Sequence, residues 1–151
     1  MTPDILFSHV GTAAMIGWAI LILGPRRFAL LNAVPLWIIP AGLSAVYAAL
    51  VLTRFTGIGG GFDTLANVRV LMMNDWALLA GWVHYLAFDL FVGAVMAARM
   101  DRFAVNRFVQ AGILVATFML GPLGFLLAAL TEIGLRALAS QPTKGADHVA
   151  A

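Results

Sequence analysis

Gly81-Trp82-Val83-His84-Tyr85-Leu86-Ala87-Phe88-Asp89-Leu90-Phe91-Val92-Gly93 decides how this chain folds. It lies in the middle of an apolar run from Trp76 to about Ala98. A helix over that run is long enough to cross a bilayer, which takes about 20 residues. The run nevertheless carries a histidine and an aspartate at membrane depth. Ionisable groups there are expensive, so His84 and Asp89 are candidates for function from the outset.

The rest of the composition agrees with a membrane solvent. Of 151 residues, 62% are hydrophobic and 11% charged, against roughly 25% charged in soluble domains. Mean hydropathy is +0.97. Nine basic and seven acidic residues leave a net charge of +2, with no basic stripe, so nucleic acid is excluded as a partner. With no cysteine there is no disulfide, thiolate metal site or cysteine nucleophile.

Working outward, the apolar runs predict an all-α integral membrane protein with a bundle of four transmembrane helices. The spans are expected at about 5–23, 30–52, 76–98 and 108–135, forming a single domain over 1–136. A polar, disordered tail is expected over 137–151. The start Met1-Thr2-Pro3-Asp4 lacks the basic region of a signal peptide, so the first span is expected to be retained. Gly11, Ala13, Ala14 and Gly17 suit close helix packing. Pro35 and Pro40 predict a kink in the second span. The glycine-rich stretch 57–61 is a loop. Asp63 is expected to cap a short interfacial helix reaching Met73. Gly121-Pro122 and Gly124 break the fourth span near its centre.

The two short turns carry Arg26, Arg27, Arg99, Arg102 and Arg107. The other side would carry Arg54, Arg69, Arg136 and Lys144. The positive-inside rule then places the short turns in the cytoplasm and both termini outside.

Four straight spans would bring His9, His84, Asn74, Thr131 and Glu132 into one leaflet half, with Asp89 near the midplane. On their own helix His84 and Asp89 point about 140° apart. Asp89 shares its face with Trp82, Tyr85 and Gly93, and His84 with Gly81, Phe88 and Phe91. Each therefore needs a partner from another helix. Two readings stay open for all four ionisable residues. They are catalytic acids and bases, or they are interhelical hydrogen-bonding and interface residues. Trp82, Tyr85, Phe88 and Pro122 either wall a pocket for a flat apolar ligand or are packing. No His-x-x-His or Glu-x-x-His spacing occurs among three histidines, so no metal is expected.

Trp82-Val83-His84-x-Leu86-x-x-Asp89-Leu90-Phe91, followed by Asp101 and then Gly121-Pro122-x-Gly124, resembles the ABA-deficient-four-like membrane proteins. The resemblance is close over Trp76 to Arg136 and looser before it. The plant branch of that family is required for neoxanthin formation from violaxanthin. The resemblance implies a carotenoid or isoprenoid substrate or ligand, and a bacterial inner-membrane homologue. Gly112 and Ala128 lie about where the plant pattern carries histidines, a departure from the epoxide-opening pattern.

Two functions follow as expectations. One is a cofactor-independent isomerase of a carotenoid-like lipid, with His84 and Asp89 as acid and base and Glu132 or His9 assisting. The alternative is a non-catalytic accessory or pigment/lipid-binding subunit, as an oligomer or in a larger membrane complex.

Overall fold

The structure is a computed structural model that describes residues 1–139. The tail residues from 140 on, His148 and Lys144 among them, lie outside the described residues. Every regular element described is helical. Helix α1 runs Pro3–Leu23; Thr2 caps it by accepting from the Ile5 amide, and proline at N1 needs no partner for a missing N–H. The second span is α2 (Ala29–Ala33), a π-helical turn (Val34–Ile38) and α3 (Ile39–Arg54). Pro35 lies within that turn and Pro40 two residues past it; neither has an N–H to donate, so the ladder widens there, where a kink is expected.

A short helix α4, Leu65–Met72, follows the glycine-rich loop. Its cap is Thr64, whose hydroxyl accepts from the Asn67 amide, and not the expected Asp63. Asp63 instead accepts from the Asn67 side chain, and that bond holds its carboxyl below the usual range. Helix α5, Asp75–Arg102, starts on Asn74, whose Oδ1 accepts from the Trp76 and Ala77 amides.

Among the described residues three stretches are long and apolar enough to cross a membrane: Pro3–Leu23, Ala29–Arg54 and Asp75–Arg102. The third is the centre of the molecule. Half of its most apolar stretch is buried, against 28% and 17% for the first two. Gly93 and Gly17 let α1 lie against it. A Cβ on Gly93 would meet the Trp18 ring at 2.5 Å, and one on Gly17 would meet Leu90 at 2.5 Å. Gly11, by contrast, has open space around it. Gly93→Val should therefore cost about 1–3 kcal/mol by overpacking, while Gly11→Val should cost little. Thermal unfolding in detergent reads the difference, and equal losses would refute the seam.

The expected fourth span is not one helix. The chain forms α6 (Arg107–Leu120) and α7 (Pro122–Ala139), folded back as a hairpin. The reason is local. Gly121 has φ +40°, a backbone state that costs glycine little, and Pro122 then opens a new helix without an N–H to satisfy. Gly124, lacking a Cβ, lies directly on Thr117 across the hairpin. The hairpin reaches only part of the way along α5. Its tip meets Asp89, and its far end returns to Arg99, where Glu132 pairs with both guanidinium nitrogens at 2.7 Å. At ~1.5 Å per residue, the fourteen residues of α6 rise about 21 Å, short of the ~30 Å of a bilayer's apolar core.

In place of the expected fourth span, the described residues form three long helices and a hairpin. Pro3 and Ala139, where the first and last described helices begin and end, lie at opposite ends of the bundle, unlike the arrangement that four straight spans would give. Arg54 stacks on Trp76 at the end where the chain starts. Arg26, Arg27, Arg99, Arg102, Arg107 and Arg136 gather at the other.

The core divides accordingly. One cluster, with Trp18, Leu90, Ala97, Leu114 and Ala128, fills the half that the hairpin covers. The other, with Val10, Ala14, Leu43, Ala80 and Val83, fills the half held by α1, α3 and α5 alone.

Candidate functional site

Because the hairpin stops short, its tip and the middle of α5 form the walls of a groove of about 410 Å³. Helix α5 contributes His84, Tyr85, Phe88, Asp89 and Val92, and the tip contributes Gly121, Pro122 and Phe125. Pockets for small molecules run from about 300 to 1,000 Å³, so the space suits part of a lipid-sized molecule. Phe88, Pro122 and Phe125 are exposed, so the groove opens sideways to the surface that faces lipid.

Asp89 is partly buried and sits on the tip: a Cβ on Gly121 would lie 3.0 Å from its Oδ1. The carboxyl makes no hydrogen bond or ion pair among the described residues, and neither does the Tyr85 hydroxyl. His84 is held by rings. Its imidazole lies 4.7 Å from the Phe88 ring and 5.4 Å from Tyr47 of α3, and it too makes no hydrogen bond. Among the described residues no hydrogen-bonding partner from another helix meets Asp89 or His84; Tyr47 of α3 meets His84 through its ring alone. Their 140° separation is bridged because the groove wraps around α5, with Tyr85 and Phe88 between them.

The structure brings together His84, Tyr85, Phe88, Asp89 and Pro122 of the expected set. Trp82 lies in a neighbouring cleft of about 290 Å³, with Pro3, Phe7, Asp75 and Leu78. It reaches the groove only through ring contact with Tyr85 at 5.4 Å. His9 stays apart: its Nδ1 lies 2.6 Å from the Ile5 carbonyl oxygen of its own helix, which fits an N–H donating there. Glu132 is at the far end of the hairpin, neutralised by Arg99 and Arg136. Glu132 does not join His84 because α7 runs back along α6 instead of onward. No group of three or more His, Asp or Glu side chains able to hold a metal occurs among the described residues.

A family profile described as ABA DEFICIENT 4-like matches residues 5–127. The chain belongs to this family. The ABA DEFICIENT 4-like match takes in all three long helices and the hairpin tip, hence every residue of the groove, and it ends before Glu132. Neither the curated proteins nor the solved structures searched contain a match to this chain.

Sequence reasoning missed Val92, Gly121, Phe125 and Tyr47 as neighbours of the ionisable pair. Val92 lies three residues beyond Asp89, a helical spacing that marks it as a neighbour on the same face. Gly121 and Phe125 carry no such signal until the chain is known to turn back at Gly121.

Proposed function

We propose that this ABA DEFICIENT 4-like protein takes a carotenoid- or isoprenoid-like lipid into the groove between α5 and the hairpin tip and isomerises it by acid–base chemistry. The observation that supports this is an unpaired carboxyl and an unpaired imidazole lining one apolar, laterally open groove. A carboxyl with no cation beside it in hydrocarbon is held as the neutral acid. Asp89 then gives its proton to an epoxide oxygen or polyene carbon. Where an epoxide is opened, the C–O bond breaks toward that oxygen. His84 takes a proton from a neighbouring carbon, and the C–H electron pair becomes the new double bond. One proton is given and one taken, and no electron is exchanged. Tyr85, Phe88, Val92 and Phe125 hold the ring and the first part of the chain, while the remainder extends among lipids.

In this reading the protein sits in a bacterial inner membrane, with the arginine-rich end in the cytoplasm. A second reading, a non-catalytic pigment- or lipid-binding subunit of a larger complex, draws on the exposed Phe7, Leu78 and Trp82 beyond the hairpin tip.

An absorption spectrum of the protein in mild detergent, with mass spectrometry of its organic extract, is the test. The expected result is a three-banded visible spectrum and one isoprenoid per chain, chemically altered by the wild type and unaltered in His84→Ala. Unaltered ligand in both proteins would favour the binding subunit. A colourless preparation that also fails to convert added carotenoid would sink both.

A further inference from the structure

The basic end of the bundle holds a polar layer that the groove chemistry does not use. Arg107 is fully engaged: it donates to the Ile22 and Gly24 carbonyls and to Gln110 Oε1, each at 3.2 Å. Gln110, 1% exposed, passes the chain of bonds on to Asp101 Oδ1 at 2.8 Å. Arg26 is different. Its Nε lies 3.5 Å from Asp101 Oδ2, close enough for ion pairing, yet Nε and Nη2 are both buried and donate to nothing among the described residues. A buried donor left unmade costs about 1–3 kcal/mol, and more when charged. Burial first, and then Arg107, pulls the guanidinium below its ordinary value, with Asp101 pulling the other way. Asp101 is the carboxylate paired with Arg26, while Arg107 stands close enough to add a second positive charge to the layer.

A cavity of about 80 Å³ lies against this arginine. Arg26, Asn32 and Asp101 form its polar wall, and Leu21, Leu36, Ala94 and Ala98 its apolar one. Asn32 is fixed there by donating to the Arg26 carbonyl at 2.6 Å. Ala98 is exposed, so the cavity opens at the surface near the arginine-rich end, where headgroups lie.

We propose that this cavity binds a phosphate oxyanion, drawn by the positive charge of the Arg26 guanidinium in its wall. The phosphate is that of an anionic lipid headgroup or free phosphate. The wall of four aliphatic side chains beside the polar one fits a headgroup whose glycerol and first methylenes follow it.

The test uses the full chain in neutral detergent after lipid stripping. Phosphatidylglycerol, phosphatidylcholine and inorganic phosphate are added separately, and binding is read by thermal unfolding and by native mass spectrometry. The expected result is one retained phosphatidylglycerol per chain and a raised midpoint, with phosphatidylcholine weaker. Arg26→Gln should lower phosphatidylglycerol affinity about fivefold, since a basic residue near an anionic headgroup is worth ~1 kcal/mol. Asp101→Asn, which keeps an oxygen for Gln110, should raise it by a similar factor; a purely structural Asp101 would give no such gain. If Arg26→Gln does not fold, Asp101→Asn alone decides. Stabilisation by inorganic phosphate as well would assign the site to the free ion. Equal response to both lipids with none to phosphate, or no response in either direction to the two substitutions, would overturn the proposal.

Discussion

Replacing Asp89 by leucine should make the protein more stable and leave it inert. An aspartate at the centre of a membrane helix costs roughly 2.5–3.5 kcal/mol on insertion scales. Asp89 recovers none of this through bonding, because no donor or cation meets it among the described residues. It is only partly buried beside the hairpin tip, so a gain of about 1–3 kcal/mol is expected. The reading of Asp89 as glue predicts the reverse sign, a loss of about 0.6–2 kcal/mol. Unfolding midpoints of the two proteins in bicelles decide between them. Asp89→Asn completes the experiment, since it keeps the shape and removes the acid. Conversion of a carotenoid-like substrate should fall by about 10²–10⁴ in both variants. An Asp89→Leu protein that is less stable than wild type, or that turns over normally, would remove Asp89 from the mechanism.

The hairpin makes an all-or-none prediction about topology. The chain has no cysteine, so a single one placed at Thr2 or at Leu138 is the sole thiol present. In intact cells a membrane-impermeant maleimide should label one of these positions and not the other until the membrane is opened. Six arginines at one end against Arg54 and Arg69 at the other, among the described residues, assign the labelled position to Thr2. Equal labelling of both without opening would restore four straight spans and dismantle the groove.

The difference between hairpin and span shows where sequence reading stops. The first three long helices are legible because each is an uninterrupted apolar run ended by recognisable punctuation: Thr2-Pro3 before α1, Gly24-Pro25 after it, and Asn74-Asp75 before α5. The apolar residues from Phe108 to Leu135 fit a kinked single span or two half-length helices equally well, since hydropathy is blind to direction. What separates the two is a backbone state, the positive φ of Gly121, together with the contact between Gly124 and Thr117. Neither is a pattern of residue types. The Gly-Pro pair marks the break but not its angle. The site inherits that limit. His84, Asp89 and the rings between them are legible because they stand on one helix whose register is secure. Glu132 was expected beside them only through the direction assigned to α7. The Arg99 contact that relocates it spans 33 residues. Arg26 illustrates the same point: an arginine in a turn reads as an interface anchor, and its unmet donors exist only once Asp101 and Arg107 are in place.

The shortness of α6 also bears on how the chain is built. Each of the first three helices carries enough greasy length to leave the translocation channel for lipid by itself. A fourteen-residue helix ending in a tight reversal does not, and its open tip would strand backbone carbonyls in oil if it arrived alone. Helices α6 and α7 are therefore expected to enter the bilayer as a pair against α5, so that the groove forms last.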